Sequence, residues 1–270
     1  TVLESALADP MTFLSSQPFP LVLDEIQLGG DRVVRAVKRL VDENQSTGRF
    51  LLTGSTNFLT VPSISESLAG RAHILKLLPF SQAELEGTSP TELGDWFDGV
   101  TARRLAATLT RDDYLNRLCA GGYPEPLRLP AELRPAWFGS YLDTVTQRDV
   151  VALAQVRGAD ALPRLAQWVG AMTGAELNTS RASRDLGISR ETVNAYLEWL
   201  RMVFLVREAR PWSRNQTSKT SKRSKLYLTD TGLAAGILNV DATALSAPTS
   251  PVVGPLLETF VSNEIERQLT

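Results

Sequence analysis

The stretch RVVRAVKRLVDEN at residues 32–44 sets the first element. Val33, Val34, Val37, Leu40 and Val41 recur at helical spacing and predict an amphipathic helix. On either side stand short runs with no alternation, LVLD at 21–24 and RFLLT at 49–53. Continuous apolar runs of this length read as strands buried on both faces. HILKLL at 73–78 predicts a third strand closed by Pro79, and Ser81 then stands as the N-cap of QAELEG. Residues 3–15 predict a short helix with a break at Asp9-Pro10, and residues 64–69 a helical turn. Apolar strands separated by helices predict a parallel sheet covered on both faces. This α/β domain ends near residue 90, where TSPTELGD reads as a linker.

From about residue 100 to 205 the periodicity is helical, interrupted by the GGYPEP turn at 121–126 and again by LRLPAELRP. SRASRDLGIS predicts a short helix and a turn at Gly187, and Ser189 caps a second helix, RETVNAYLEWL. In that helix Val193, Leu197 and Leu200 share one face, while Arg190, Glu191, Asn194 and Glu198 fall mainly on the other. This is the helix-turn-helix pattern, whose second helix can enter a DNA major groove. Glu191 and Glu198 would repel phosphates, and many such modules contact proteins instead. Just downstream, residues 210–225 hold Arg210, Arg214, Lys219, Lys222, Arg223 and Lys225 with no Asp or Glu. Cations among Ser and Thr suit phosphate contacts; a solvated loop is the other reading. KLYLTD then predicts a strand, TGLAAGIL a helix, and PLLETFVSNEIERQL an amphipathic helix that buries Leu256, Phe260, Val261, Ile265 and Leu269.

With 43% hydrophobic and 21% charged residues among 270, the composition is that of a soluble globular protein. The net charge of −2 gives no global signature of nucleic-acid binding, and no apolar run reaches the ~20 residues that span a bilayer. Cys119 and His73 are single, which excludes an internal disulfide and a Cys/His zinc cluster. Cys119 reads as a small buried hydrophobe, in keeping with a reducing cytoplasm.

The chemistry concentrates at the strand ends. Asp24 and Glu25 end the first apolar run, and ligands bind at that edge of open parallel sheets. An Asp there can hold Mg²⁺ and a following Glu can polarise water, although Asp-Glu after an apolar run is common. The second run ends in Thr53, Gly54, Ser55 and Thr56, small polar groups suited to a γ-phosphate or an attacking water. Arg71, just before the third run, is either a surface charge or a stabiliser of a transferring phosphoryl group.

DEIQ, RFLLTGS, SLAGR, LPFS, GGYPE, QRDV, PWSRN, KLYLTDTGLAA and GPLLETFVSNEI occur in an order that resembles the AAA-type ATPases of bacteria and archaea with a C-terminal domain of the DUF4143 group. The resemblance covers nearly the whole chain. It implies an ATPase core over residues 1–90, a helical lid over 91–164, a winged-helix-like domain over 165–212 and the start of a nuclease-like domain over 213–270. The implied fold class is α/β followed by mainly α, with an incomplete P-loop NTPase sheet. Asp24 becomes the Mg²⁺ residue, Glu25 the catalytic carboxylate, Thr53 or Ser55 the sensor, and Arg71 the Gly-Arg position. ATP and Mg²⁺ are the implied cofactors. Arg190, Asn194, Arg214, Lys219, Lys222, Arg223 and Lys225 are the candidates for DNA contact. Glu264 matches an acidic residue of the last helix, and no nuclease activity is assigned to it.

The departure is at the phosphates. A P-loop needs G-x-x-x-x-G-K-[ST], and none of the five lysines follows a glycine. A P-loop strand, loop and helix with their connections take roughly 40 residues, and 20 precede Leu21. The expectation is a truncated core that binds ATP weakly or not at all and is inactive as an ATPase on its own. Its apolar sheet edges would be open to self-association or to a partner chain. The alternative is a non-enzymatic DNA-binding or protein-interaction module.

Overall fold

The computed structural model describes residues 1–55, 68–88, 94, 97–99, 109–149, 161–212 and 223–269, without the side chains of 148 and 149. They fall into two compact units, Thr1–Leu75 and Lys76–Thr270. The helical turn expected from residue 64 to 67, most of the linker at 88–95, and Thr56, Arg214, Lys219 and Lys222 lie outside the described residues.

In the first unit Thr1 caps α1 (Val2–Ala8) in a capping box with Glu4, and Asp9 caps α2 (Pro10–Ser15), whose first position is proline. β1 (Leu21–Leu23) and β2 (Phe50–Leu52) pair in parallel with Leu21 opposite Phe50 and Leu23 opposite Leu52. The helix between them, α3 (Gly30–Glu43), is the amphipathic one: Val33, Val34, Ala36, Val37 and Leu40 are buried together with Leu14 and Ile26. Arg49 ties the start of β2 to the end of α3 by donating to the Leu40 and Asn44 carbonyls at 2.6 and 3.2 Å.

Two expectations fail here. Among the described residues the sheet is covered on one face: Leu21, Leu23, Phe50 and Leu52 pack toward α3, while Val22 and Leu51 on the other face are each 57% exposed. And residues 72–78 form no strand; Leu75 and Leu77 face solvent. Apolarity alone does not make a strand, because the ladder it joins is what satisfies and stabilises its backbone.

The second unit is mainly helical. α4 (Gln82–Leu85) starts at Ser81 in a capping box with Glu84. α5 (Arg111–Ala120), α6 (Pro124–Leu127), α7 (Arg134–Thr144) and α8 (Leu162–Ala171) follow. Then come α9 (Thr179–Leu186) and α10 (Arg190–Met202), the antiparallel strands β3 (Val206–Ala209) and β4 (Lys225–Leu228), α11 (Thr231–Leu238), α12 (Ala242–Ser246) and α13 (Val253–Leu269). One apolar cluster joins α5, α7, α8, α10, α11 and α13 around Phe138, Leu165, Leu197, Leu233 and Leu256.

The last helix is turned relative to its apolar pattern. Leu256 and Phe260 are buried as expected, but Val261, Ile265 and Leu269 are exposed, and Thr259 and Asn263 take their place inside. Thr259 bonds the Thr173 hydroxyl at 2.9 Å and Asn263 donates to the Leu228 carbonyl at 3.0 Å. Satisfied polar groups can occupy an interior face that periodicity assigns to apolar ones.

Candidate functional site

β1 and β2 end side by side, so the residues that follow them converge. The Thr53 hydroxyl donates to the Asp24 carboxylate, and the Glu25 amide donates to Thr53 Oγ1 at 3.4 Å. The Thr53 amide donates to the Leu23 carbonyl and the Ile26 amide to the Thr53 carbonyl, both at 3.0 Å, which locks the two strand ends together. Glu25 Oε2 accepts from the Ser55 amide at 3.3 Å and from Gln27 Nε2. Gln27 Nε2 also reaches Ser55 Oγ at 3.3 Å, and Gln27 Oε1 is buried without a hydrogen-bond partner among the described residues.

The backbone explains the arrangement. Glu25 sits in the left-handed region, with φ 51° and ψ 51°. Glutamate adopts that conformation only when its surroundings impose it. The turn drives Ile26 into the core beside α3 and leaves both carboxylates at the sheet edge. Among the described residues no Lys or Arg pairs with Asp24 or Glu25. Arg71 is elsewhere: its guanidinium holds Asp42, near the end of α3, at 2.6 Å and donates to the Ala69 carbonyl. The hydrogen bond from Arg71 keeps the Asp42 carboxyl below the ordinary aspartate range. Four sequence candidates are thus brought together and the fifth is not. The open carboxylates and hydroxyls form an oxygen-donor set of the kind hard divalent cations take.

In the second unit, Asn178 caps α9 by accepting from the Arg181 amide, and Gly187 closes it at φ 68°. Ser189 caps α10 by accepting from the Thr192 amide at 3.1 Å. Val193, Tyr196, Leu197 and Leu200 are buried, which leaves Arg190 and Asn194 facing solvent. On the far side of β4 the segment 174–177 adds a third line of pairing: Gly174 donates to Leu226 and Leu177 to Ser224, both at 2.8 Å. Lys225 is held at 2.6 Å by Glu258, which also accepts from the Tyr227 hydroxyl at 2.7 Å. Arg223 is exposed. Among the described residues, no hydrogen bond or ion pair engages Arg184, Arg190, Arg210 or Arg223, whereas Arg117, Arg201, Arg207 and Arg267 all hold carboxylates.

One constellation had no forecast. Asp230, fully buried at the start of α11, accepts from the Gly122 amide at 2.7 Å and the Leu233 amide at 3.0 Å and faces Arg267 at 3.6 Å. Arg267 holds Glu264 at 2.7 Å, and Glu264 accepts from the Gln82 amide at 2.8 Å. Burial pushes the Asp230 carboxyl up, and Arg267 opposes that shift. GGYPE and LTDTG therefore meet in space, a pairing over 108 residues that no local signal encodes. Cys119 lies half-buried against the core, and burial pushes its thiol up to about 11, so it is inert as a nucleophile near neutrality. No helix among the described residues is long and apolar enough to cross a membrane.

Comparison with known proteins agrees in part. Residues 3–86 match a family described as an AAA domain, which supports an AAA-type family. Residues 111–244 match a domain of unknown function, DUF8612, where the sequence had suggested the DUF4143 group. An uncharacterized protein of Mycobacterium tuberculosis and one of Mycobacterium bovis are each 29% identical over 265 residues, covering 96% of this chain and 53% of theirs. The chain thus spans about half the length of the curated relatives it matches. No solved structure matches it.

Proposed function

We propose that the chain is part of an AAA-type ATPase-like protein in which Asp24 holds Mg²⁺, Glu25 orients the attacking water, Ser55 contacts the outer phosphate, and Thr53 orients Asp24. The observation that carries this reading is the convergence of these four residues beyond the paired ends of β1 and β2. Mg²⁺ takes few protein ligands and keeps waters and phosphate oxygens, which one carboxylate beside a hydroxyl suits. The nucleotide, when bound, supplies the phosphoryl group. Its cradle is not among these 270 residues, since they hold no G-x-x-x-x-G-K-[ST] run. We therefore assign the 270 residues by themselves no ATP turnover. Arg71 acts at this site only if it leaves Asp42. The open face at Val22 and Leu51 suits a further strand–helix unit, from the same polypeptide or a partner.

A fluorescent ATP analogue titrated into the chain with Mg²⁺ tests this. No saturable binding at micromolar concentration is expected, and micromolar affinity would overturn the assignment. In a polypeptide that also carries the P-loop, Glu25→Gln should abolish turnover and leave ATP binding intact.

A second activity is favoured by Arg184, Arg190, Arg210 and Arg223, four of the arginines that no hydrogen bond or ion pair engages among the described residues. The order of α8, segment 174–177, α9, α10 and the β3–β4 hairpin suits a winged helix, with Arg184 on α9, Arg190 at the start of α10, and Arg210 and Arg223 flanking the hairpin strands. On this reading Arg190 and Asn194 of α10 address a DNA duplex, with Arg223, Arg214, Lys219 and Lys222 on the backbone and Lys225 committed first to Glu258. Duplex binding should fall steeply with salt and survive removal of residues 1–75. Binding indifferent to salt, or none, leaves a protein-interaction module as the function. A single cysteine suits a reducing compartment such as the cytoplasm.

A further inference from the structure

Trp212 stands apart from the other described tryptophans. Trp137 stacks on Tyr141 at 5.1 Å, Trp168 donates its indole N–H to Asp185 at 2.9 Å, and Trp199 packs on Tyr196 at 5.0 Å. Trp212 has no ring partner and no hydrogen bond among the described residues, and it is 76% exposed. A lone exposed apolar side chain is ordinary, so its surroundings decide what it means.

Those surroundings are cationic. Ala209 pairs with Lys225 at the end of the hairpin ladder. Counting onward in the same register brings Arg210 opposite Ser224 and Pro211 opposite Arg223. Ser224 is itself fixed, because its carbonyl accepts from Leu177 at 2.8 Å. Arg210 and Arg223 are exposed and hold no carboxylate among the described residues, and no acid occurs anywhere from 210 to 225. In that register Arg210 and Trp212 share one face of the hairpin and Arg223 lies on the other. A bare indole beside unengaged cations is the combination with which proteins grip unpaired nucleotides: the ring stacks on a base and the cations take nearby phosphates. In a closed duplex both faces of each internal base are already covered by its neighbours.

Resting on the DNA reading above, we infer that this hairpin end stacks Trp212 on an unpaired base, so that the preferred ligand is DNA where a duplex gives way to a single strand. α10 lies on the duplex and the hairpin end takes the freed strand.

The full chain is titrated by fluorescence anisotropy with two labelled probes, a duplex closed by loops at both ends and the same duplex with a single-stranded tail. The tailed probe should bind about tenfold more tightly. Trp212→Ala should remove that preference and leave closed-duplex affinity unchanged, while Trp212→Phe, which keeps a stacking ring, should retain most of it. Arg210→Ala with Arg223→Ala should lower the salt slope on the tailed probe by about two. Failure to bind either probe would sink the DNA reading and this inference together. Equal affinity for the two probes, or a tail preference that survives Trp212→Ala, would overturn the inference alone. The exposure of Trp212 makes its removal harmless to the core, and circular dichroism of the variant checks this.

Discussion

Two glycines show how differently single residues can matter in this chain. Gly187 turns the chain between α9 and α10 at φ 68° with open space around it, so alanine there meets only the backbone penalty. That penalty is about 1 kcal/mol. A Cβ on Gly122 would lie 2.3 Å from the Phe80 carbonyl oxygen, against the same backbone whose amide donates to the Gly122 carbonyl at 2.8 Å. Gly122→Ala should therefore cost about 2 kcal/mol or more. Urea midpoints of the two variants test the order; equal losses would contradict it. Glu258 offers a pH test. Its hydrogen bond to Lys225 holds the carboxyl below the ordinary glutamate range. A lowered folded-state value contributes stability above the unfolded value that is lost as pH falls through the folded one. Both partners are partly exposed, so solvent screening limits Glu258→Gln to about 0.5 kcal/mol at pH 7. The gap from the parent should close toward pH 3, and a gap of constant size would refute the linkage.

Among the elements, α13 separates the sequence pattern from the packing. Periodicity places Ile265 inside and Asn263 outside, yet Asn263 is buried against the Leu228 carbonyl and Ile265 is exposed. Asn263→Ala leaves a buried carbonyl unpaired and should cost about 2 kcal/mol. Ile265→Ala should stay within about 0.5 kcal/mol. Thermal unfolding of the two variants decides between the faces, because the order of losses would be reversed if the apolar stripe were the buried one. The stretch 72–78 teaches the same point for strands, since Ile74, Leu75 and Leu77 remain exposed without a ladder to join.

For the whole molecule, the two apolar clusters share no residue. Each unit thus has a core of its own, and separate unfolding of the two is the expected outcome. Val37, 1% exposed, anchors the smaller cluster, and Phe138, also 1% exposed, packs against Gly232 and Gly236 in the larger. Hydrogen exchange should show Val37→Ala loosening residues 1–55 while 161–200 keep their protection. Phe138→Ala, worth about 3–5 kcal/mol, should do the reverse. Loss of protection in both units from either variant would mean a single cooperative molecule.

Local elements were legible because their causes are local. The α3 stripe, the Asp9-Pro10 break, the caps at Ser81 and Ser189 and the Gly187 turn each follow from spacing or from one side chain's bond to a nearby amide. Asp24, Glu25, Thr53 and Ser55 were legible as a group because parallel strands deliver their ends to one edge. The left-handed turn at Glu25, the pairing of Arg71 with Asp42 across 29 residues, the burial of Asp230 under Gly122 and the polar inner face of α13 were not. Each depends on which distant group fills a given space, and that is set when the elements pack.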